Sequence, residues 1–240
     1  MAGQYIEPVP PLPSLAALPG QCVVCRSWVR GRLCGACRVS FAAARPRCER
    51  CAIALDNSQP LCGGCVREPP PFARAVTAVD YEAPWSALIA RFKFHAALEL
   101  APLFAQLLQG AVTEPHDRLV LPAPLSEARL RERGYNQSWE LARRLARSLR
   151  QPCDARLLLR VRDTPHQIEL PLDRRAANVR GAFAVEPRRR AELEGRTVAL
   201  VDDVLTTGAT AAEMSRVLLQ AGAARVEVWV FARTPAPDRA

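Results

Sequence analysis

Val198-Ala-Leu-Val-Asp-Asp-Val-Leu-Thr-Thr-Gly-Ala-Thr210 is the stretch on which the reading of this chain turns. Its leading apolar residues, Val198 to Val201, predict a strand buried on both faces, the usual condition in a parallel sheet. Asp202 and Asp203 follow where that strand would leave the sheet at its carboxyl end, the edge at which open α/β folds bind ligands. Thr206-Thr207-Gly208-Ala209-Thr210 is then a small, hydroxyl-rich turn, and Met214, Val217, Leu218 and Ala221 continue at helical spacing up to Gly222. Amides at a helix start, helped by threonine hydroxyls, form a phosphate cradle. Adjacent carboxylates beside it repel each other unless sugar hydroxyls or a divalent cation engage them. A capping threonine and a turn glycine alone would need no ligand. The paired acids are what point to a phosphate and sugar site.

The order of four apolar residues, two acids, two apolar residues and Thr-Thr-Gly-x-Thr resembles the motif by which type I phosphoribosyltransferases bind phosphoribosyl pyrophosphate (PRPP). The resemblance implies that Asp202 and Asp203 hold the ribose hydroxyls of PRPP and act in catalysis. It also implies that Thr206, Thr207, Gly208, Ala209 and Thr210 wrap its 5′-phosphate, and that Mg²⁺ accompanies the pyrophosphate. Purine-salvage members of that group commonly carry an aspartate at the position of Thr206 and a lysine or arginine at that of Ala209. A hydroxyl and a methyl group cannot replace them, so a 6-oxopurine acceptor is not expected.

At 240 residues the chain suits one ordinary domain with a small appendage. No apolar run approaches the ~18 residues that a membrane helix needs. Met1 to Gly20 is proline-rich and lacks the basic-then-apolar layout of a signal peptide, so the expectation is a cytoplasmic protein. The formal charge is +9, and residues 143 to 190 hold thirteen arginines against five acids. Such a patch attracts polyphosphates or nucleic acid, although a merely solvated arginine-rich face reads the same way. Lys93 is the only lysine. A compact ammonium among so many guanidinium groups can serve where a flat fork cannot.

Of the nine cysteines, eight fall into Cys-x-x-Cys knuckles: Cys22/Cys25, Cys34/Cys37, Cys48/Cys51 and Cys62/Cys65. Two residues between thiolates let both reach one tetrahedral ion, so the pattern predicts two structural Zn²⁺ sites with no open coordination position. Sequential pairing needs no threading, but spacing also allows a crossed pairing of first knuckle with third. Few large apolar residues lie here, so metal has to supply folding energy that a core would otherwise provide.

The expected organisation is a proline-rich segment at 1–19, a double zinc ribbon at 20–68, a proline linker at 69–73, an α/β domain at 74–234 and a tail at 235–240. Strands are predicted from Arg74 to Tyr81, from Leu119 to Pro122 and from Arg225 to Phe231. Helices are predicted through Trp85, Leu88, Ile89 and Phe92, and from Leu98 to Leu108. A third carries Leu141, Ala142, Leu145, Ala146 and Leu149 on one arc, with Arg143, Arg144, Arg147 and Arg150 on the other. Arg129 and Arg133 flank a glycine-marked loop after a strand and are candidates for pyrophosphate contacts. Residues 160 to 180, with Arg162, Thr164, His166, Gln167, Arg174, Arg175 and Asn178, form a polar run suited to closing over a charged ligand.

Four knuckles, then Phe92-Lys93-Phe94, then Pro124-Leu125 with Arg133-Gly-Tyr-Asn-Gln137, then the acid pair and its loop, together resemble the ComF/GntX family over residues 20 to 234. Arg162-x-Thr164-x-x-Gln167 and Leu172-x-x-Arg174-Arg175-x-x-Asn178 are also similar. The resemblance implies a double zinc ribbon joined to a type I phosphoribosyltransferase-like parallel sheet flanked by helices. Lys93, Arg129, Arg133, Arg174 and Arg175 are the candidates for the pyrophosphate and its covering loop, Arg133 also for catalysis. The resemblance further implies a part in natural competence or DNA utilization, with single-stranded DNA or a DNA-uptake or recombination protein as partner. An active transferase with an unidentified acceptor, a DNA-binding factor and a PRPP-sensing adaptor are the three readings it leaves.

Overall fold

The computed structural model describes residues 19–56, 59–112, 117–162 and 179–235. The chain divides into two compact units, Met1–Phe41 and Ala42–Ala240. In the smaller, β1 (Pro19–Gln21) pairs antiparallel with β2 (Trp28–Arg30), and α1 (Gly35–Phe41) carries the thiol of Cys37. Among its described residues only Cys22, Leu33 and Cys37 are buried apolar side chains. One leucine cannot offset the entropy of ordering this segment, at about 1–2 kcal/mol per residue, without a further cross-link.

The larger unit opens on the second knuckle pair, whose last thiol lies on α2 (Gly63–Arg67). β3 (Arg74–Asp80) and α3 (Trp85–Phe94) follow, and a 3-10 turn at Leu98–Leu100 runs into α4 (Ala101–Ala111). Next come β4 (Leu119–Pro122), α5 (Glu127–Arg133), α6 (Gln137–Leu149), β5 (Leu158–Arg160) and β6 (Phe183–Val185). A 3-10 segment at Pro187–Leu193 then leads to β7 (Thr197–Leu205), α7 (Ala209–Gln220) and β8 (Arg225–Arg233). The four long-range strands lie parallel in the order β3-β8-β7-β4, and β5 and β6 form a separate antiparallel pair.

Alternation along the strands divides the core between two helical layers. Val226, Val228 and Val230 of β8, with Val198 and Leu200 of β7, pack with Met214 and Leu218 of α7. Phe231, an odd-numbered residue of β8, stacks on Phe104 of α4 at 3.9 Å between ring centroids and meets Trp85 of α3 edge-on. On α6, Leu141, Ala142, Leu145 and Ala146 are buried, as the sequence period requires. Each fully buried leucine contributes about 1.5–3 kcal/mol of transfer free energy. The architecture is the expected α/β parallel sheet with flanking helices.

Two local expectations change. β7 does not end before the acid pair: Asp202 pairs with Val230, Val204 with Ala232 and Leu205 with Arg233, because β8 is long enough to extend the ladder. Residues 127 to 133, expected as a loop, form a helix. The Ser126 side chain accepts from the Arg129 amide at its start, and Gly134 closes it at φ 76°, where a side chain would be strained.

The second knuckle pair is built into the larger unit. Arg47 donates to Asp80 at the end of β3 at 2.7 Å and to the Ala52 carbonyl at 3.1 Å. Arg45 reaches the other oxygen of Asp80. Ala52, only 1% exposed, sits in the same core cluster as Phe72, Ala75 and Leu205.

Candidate functional site

The parallel sheet delivers Asp202 and Asp203 to its carboxyl edge, and neighbouring elements meet them there. Asp202 Oδ1 accepts from Ser138 Oγ in the first turn of α6 at 2.8 Å, and from the Asp203 amide at 2.8 Å. Asn136 caps α6, accepting from the amides of Ser138 and Trp139, while its Nδ2 donates to the Ala123 carbonyl just beyond β4. The sheet edge and the start of α6 are thereby locked together. Sequence reasoning quoted Asn136 within a motif but assigned neither it nor Ser138 a place at the acids. Ser138 carries no pattern that could have disclosed it.

Asp203 is 4% exposed, and its Oδ1 lies 2.8 Å from Lys93 Nζ at the end of α3. Its second oxygen is buried without a hydrogen-bond partner. Burial and then the negative charge of Asp203 push the Asp202 carboxyl up to about 6, against the opposing pull of Lys93 and Ser138. A buried orphan oxygen next to a second carboxylate is the chemistry of a cation or polyol site.

Arg133 ends α5 with its guanidinium 4.9 Å over the Phe94 ring, and its buried Nε has no partner. Tyr135, two residues further on, donates its hydroxyl to the Phe92 carbonyl. Burial pushes the Tyr135 phenol above its ordinary pKa, with Arg133 pulling it down and Asp203 pushing it up. Arg133, Tyr135, Lys93 and Asp203 therefore share one electrostatic neighbourhood. Arg129 lies four residues earlier on α5, not in a loop.

The turn after β7 exposes Thr206 and Thr207 and crosses into α7 at Gly208, whose φ of 86° suits glycine. No side chain caps this helix start. Thr207 Oγ1 instead accepts from the Ala209 amide at 3.4 Å. The positive end of α7 thus faces the same edge as the carboxylates. Thr164, His166, Gln167, Arg174, Arg175, Asn178 and the tail from residue 236 on lie outside the described residues.

Each set of four thiols converges by sequential pairing. The sulfurs of Cys22, Cys25, Cys34 and Cys37 all lie within 4.8 Å of one another, as do those of Cys48, Cys51, Cys62 and Cys65. Cys25 and Cys34 sulfurs are 3.6 Å apart and those of Cys51 and Cys62 are 3.7 Å apart. A tetrahedron of about 2.3 Å Zn–S bonds has edges of nearly that length. The Cys34 amide donates to Cys22 Sγ at 3.5 Å, and the Cys62 amide to Cys48 Sγ at 3.3 Å. Burial would raise both sulfurs, but backbone amides outweigh it and hold Cys22 at about 6 and Cys48 at about 7. The clusters fit a thiophilic metal ion.

Residues 137–239 match the phosphoribosyl transferase domain. The chain is 36% identical to "DNA utilization protein YhgH" of Escherichia coli O157:H7 over 231 residues, covering 92% of this chain and all of that one. It is 33% identical to "Competence protein F" of Haemophilus influenzae, over 89% of this chain and 96% of the relative. The chain belongs to the ComF/GntX family of competence and DNA utilization proteins. "Competence protein ComFC" of Bacillus subtilis is a more distant member, 30% identical over 57% of this chain and 54% of its own length. Among solved structures, a Bacillus subtilis glutamine PRPP amidotransferase overlaps 55% of this chain and 25% of its own at a TM-score of 0.36 and 22% identity. So partial an overlap adds nothing to the fold derived from the sheet. No described helix is long and apolar enough to cross a membrane.

Proposed function

We propose that this family member binds PRPP with Mg²⁺ at the carboxyl edge of β7, and holds one Zn²⁺ in each four-cysteine cluster. The observation that carries the ligand is the carboxylate pair set beside the glycine-opened start of α7, with one acid oxygen buried and unpartnered. Asp202 and Asp203 would hold the ribose hydroxyls and, through them, the side of the ligand that takes Mg²⁺. When bound, Mg²⁺ supplies charge neutralisation to a departing pyrophosphate.

The chain's own residues would do the rest. The turn from Thr206 to Thr210 would seat the 5′-phosphate at the helix start. Arg133, whose Nε is unpartnered, and Lys93, beside Asp203, would meet developing negative charge on the pyrophosphate, and preorganised cations of this kind lower a transition state's free energy. The rings of Tyr135 and Phe92 pack against each other, 6.1 Å between centroids. Arg129, Arg174 and Arg175 remain candidates for the same pyrophosphate. Among the described residues none stands out as the base that would activate an acceptor, and the acceptor's class stays open in this reading.

Calorimetric titration with PRPP and Mg²⁺ tests the ligand. Saturable binding in the wild type, lost in Asp203→Ala, is expected, and its absence in the wild type would overturn the assignment. Pyrophosphate release against an acceptor panel separates a transferase from a sensor.

A second reading concerns DNA. On the smaller unit, Trp28 is 72% exposed and Phe41 43% exposed, with Arg26, Arg30, Arg32 and Arg38 also exposed. Aromatic faces among guanidinium groups suit stacking of unpaired bases. We expect salt-dependent binding of single-stranded DNA that weakens in Trp28→Ala, and that survives substitution of the two acids. A participation in competence or DNA utilization rests on that arm.

A further inference from the structure

The last residue of β8, Arg233, ties the second thiolate cluster to the turn that follows β7. Its side chain is 7% exposed. Nε donates to the Cys51 carbonyl at 2.8 Å, and Nη1 donates to the Leu205 carbonyl at 2.9 Å, the Thr234 carbonyl at 2.9 Å and the Thr206 carbonyl. Cys51 is one of the four converging thiols, and Leu205 and Thr206 open the phosphate turn. One planar group therefore spans from the metal cluster to the candidate phosphate site. A guanidinium can do this because its donors are fixed in a fork that satisfies several carbonyls at once.

The charge arrangement points the same way. Among the described residues no carboxylate pairs with Arg233; carbonyl oxygens alone hold it. A buried cation without a counter-ion is costly. Four thiolates around one Zn²⁺ would carry a net charge of −2, and Arg233 is bonded to the backbone carbonyl of one of them, Cys51. On the other side, the charge stands directly behind Thr206, where it favours an anion. The ribbon that carries Cys51 cannot drift independently, because Ala52 lies in the α/β core and Arg47 and Arg45 anchor to Asp80.

We infer that the second metal centre, Cys48-Cys51-Cys62-Cys65, positions the phosphate turn through Arg233, so that a metal centre remote from the ligand sets how well the turn is formed. Arg233 is a positioning residue, since it touches the turn's carbonyls and not the ligand. The inference rests on the PRPP reading only for the nature of the ligand; the mechanical link stands on its own. Loss of this metal, by chelation or by oxidation of its thiolates, would free the Cys51 carbonyl and loosen residues 205–208 before the sheet itself opens.

The test uses the full chain and reads three quantities: zinc per chain, hydrogen exchange in peptides spanning 205–210, and PRPP affinity by calorimetry. Arg233→Met should keep both zinc ions yet raise exchange in that turn by about tenfold or more, because the local opening free energy falls. Cys62→Ser should lose one zinc and raise exchange equally, whereas Cys34→Ser should lose the other zinc and leave the turn unchanged. Arg233→Lys, which has charge but no fork to bridge both sides, should fall between. Because a variant may fold poorly, a chelator titration of the wild type compares the turn with the strand core at 198–201. The turn must open first. Unchanged exchange in Arg233→Met and Cys62→Ser, or a turn that opens only together with the core, overturns the inference. A turn loosened as described in a protein that does not bind PRPP would sink the ligand and leave the link intact; PRPP binding with no change in exchange would do the reverse.

Discussion

Lys93, the only lysine in the chain, places its ammonium 2.8 Å from Asp203, the second acid of the β7 carboxylate pair. The two residues come from α3 and β7, more than a hundred positions apart, and the contact closes the acid pair on one side. A mostly buried ammonium on a mostly buried carboxylate stands where a divalent cation or a sugar hydroxyl would also be favoured. Lys93 thus supplies the counter-charge to Asp203 in this fold.

Removing the ammonium should expose that role. Lys93→Met leaves Asp203 buried and unpaired, which should cost about 2–4 kcal/mol in urea denaturation. Adding Asp203→Asn should restore much of the loss, so the double variant would be clearly less destabilised than the sum of the singles. Additive effects would show that the pair is not coupled.

Ligand binding should depend on pH through Asp202. Its carboxyl is held up to about 6, by burial first and by Asp203 second, so below that pH a proton competes with Mg²⁺ and the ribose. Affinity for PRPP with Mg²⁺ should rise as pH increases through 6 and level off above 7. The stability sign is opposite. A raised folded-state value stabilises the fold fully below the ordinary carboxylate range and loses that contribution as pH rises through about 6. Asp202→Asn keeps the Oδ1 acceptor for Ser138 and the Asp203 amide. It should therefore be more stable than the wild type at pH 8, by about 3 kcal/mol, and little more stable at pH 4.

At the opposite end of the sheet, Glu227 is 2% exposed and meets Arg118 at 2.8 Å, Arg74 at 3.1 Å and Arg225 at 3.4 Å. Burial opposes its ionisation, but hydrogen bonds and charge from Arg118, and then Arg74, hold the carboxyl below its usual value. Its contribution is present above the unfolded value and is lost as pH falls through the folded one. Glu227→Gln should destabilise by about 3–5 kcal/mol at pH 7, measured by urea midpoint, and should flatten the acid limb of the stability profile.

The smaller unit should need its metal to fold. With Leu33 as the one buried large aliphatic side chain among its described residues, zinc extraction should unfold β1, β2 and α1. Loss of hydrogen-exchange protection in residues 19–41 on chelation would show it, and protection that persists in metal-free protein would contradict it.

Much of this protein is legible in its sequence. Uninterrupted apolar runs at Leu119 and Val198 marked strands buried on both faces, because a parallel sheet covered by helices leaves no polar side to alternate. Knuckle spacing announced two four-thiol clusters, since ligand geometry is local. The acid pair with its threonine-rich turn located the site edge for the same reason: strand, turn and helix start are contiguous in the chain.

Tertiary structure decided what contiguity could not. Spacing allowed crossed pairing of the knuckles, and only the folded ribbons bring Cys22 to Cys34 and Cys48 to Cys62. The helix at 127–133 shows no apolar period in the sequence because it buries no side chain; its Ser126 cap and Gly134 stop form it. Lys93 on Asp203, Ser138 on Asp202 and Arg233 between Cys51 and Thr206 join residues far apart in sequence. Such contacts depend on how helices pack on a twisted sheet, and no periodicity in one segment encodes the position of another. Local patterns determined which elements exist and which atoms carry charge. Packing of side chains across layers determined which charges meet.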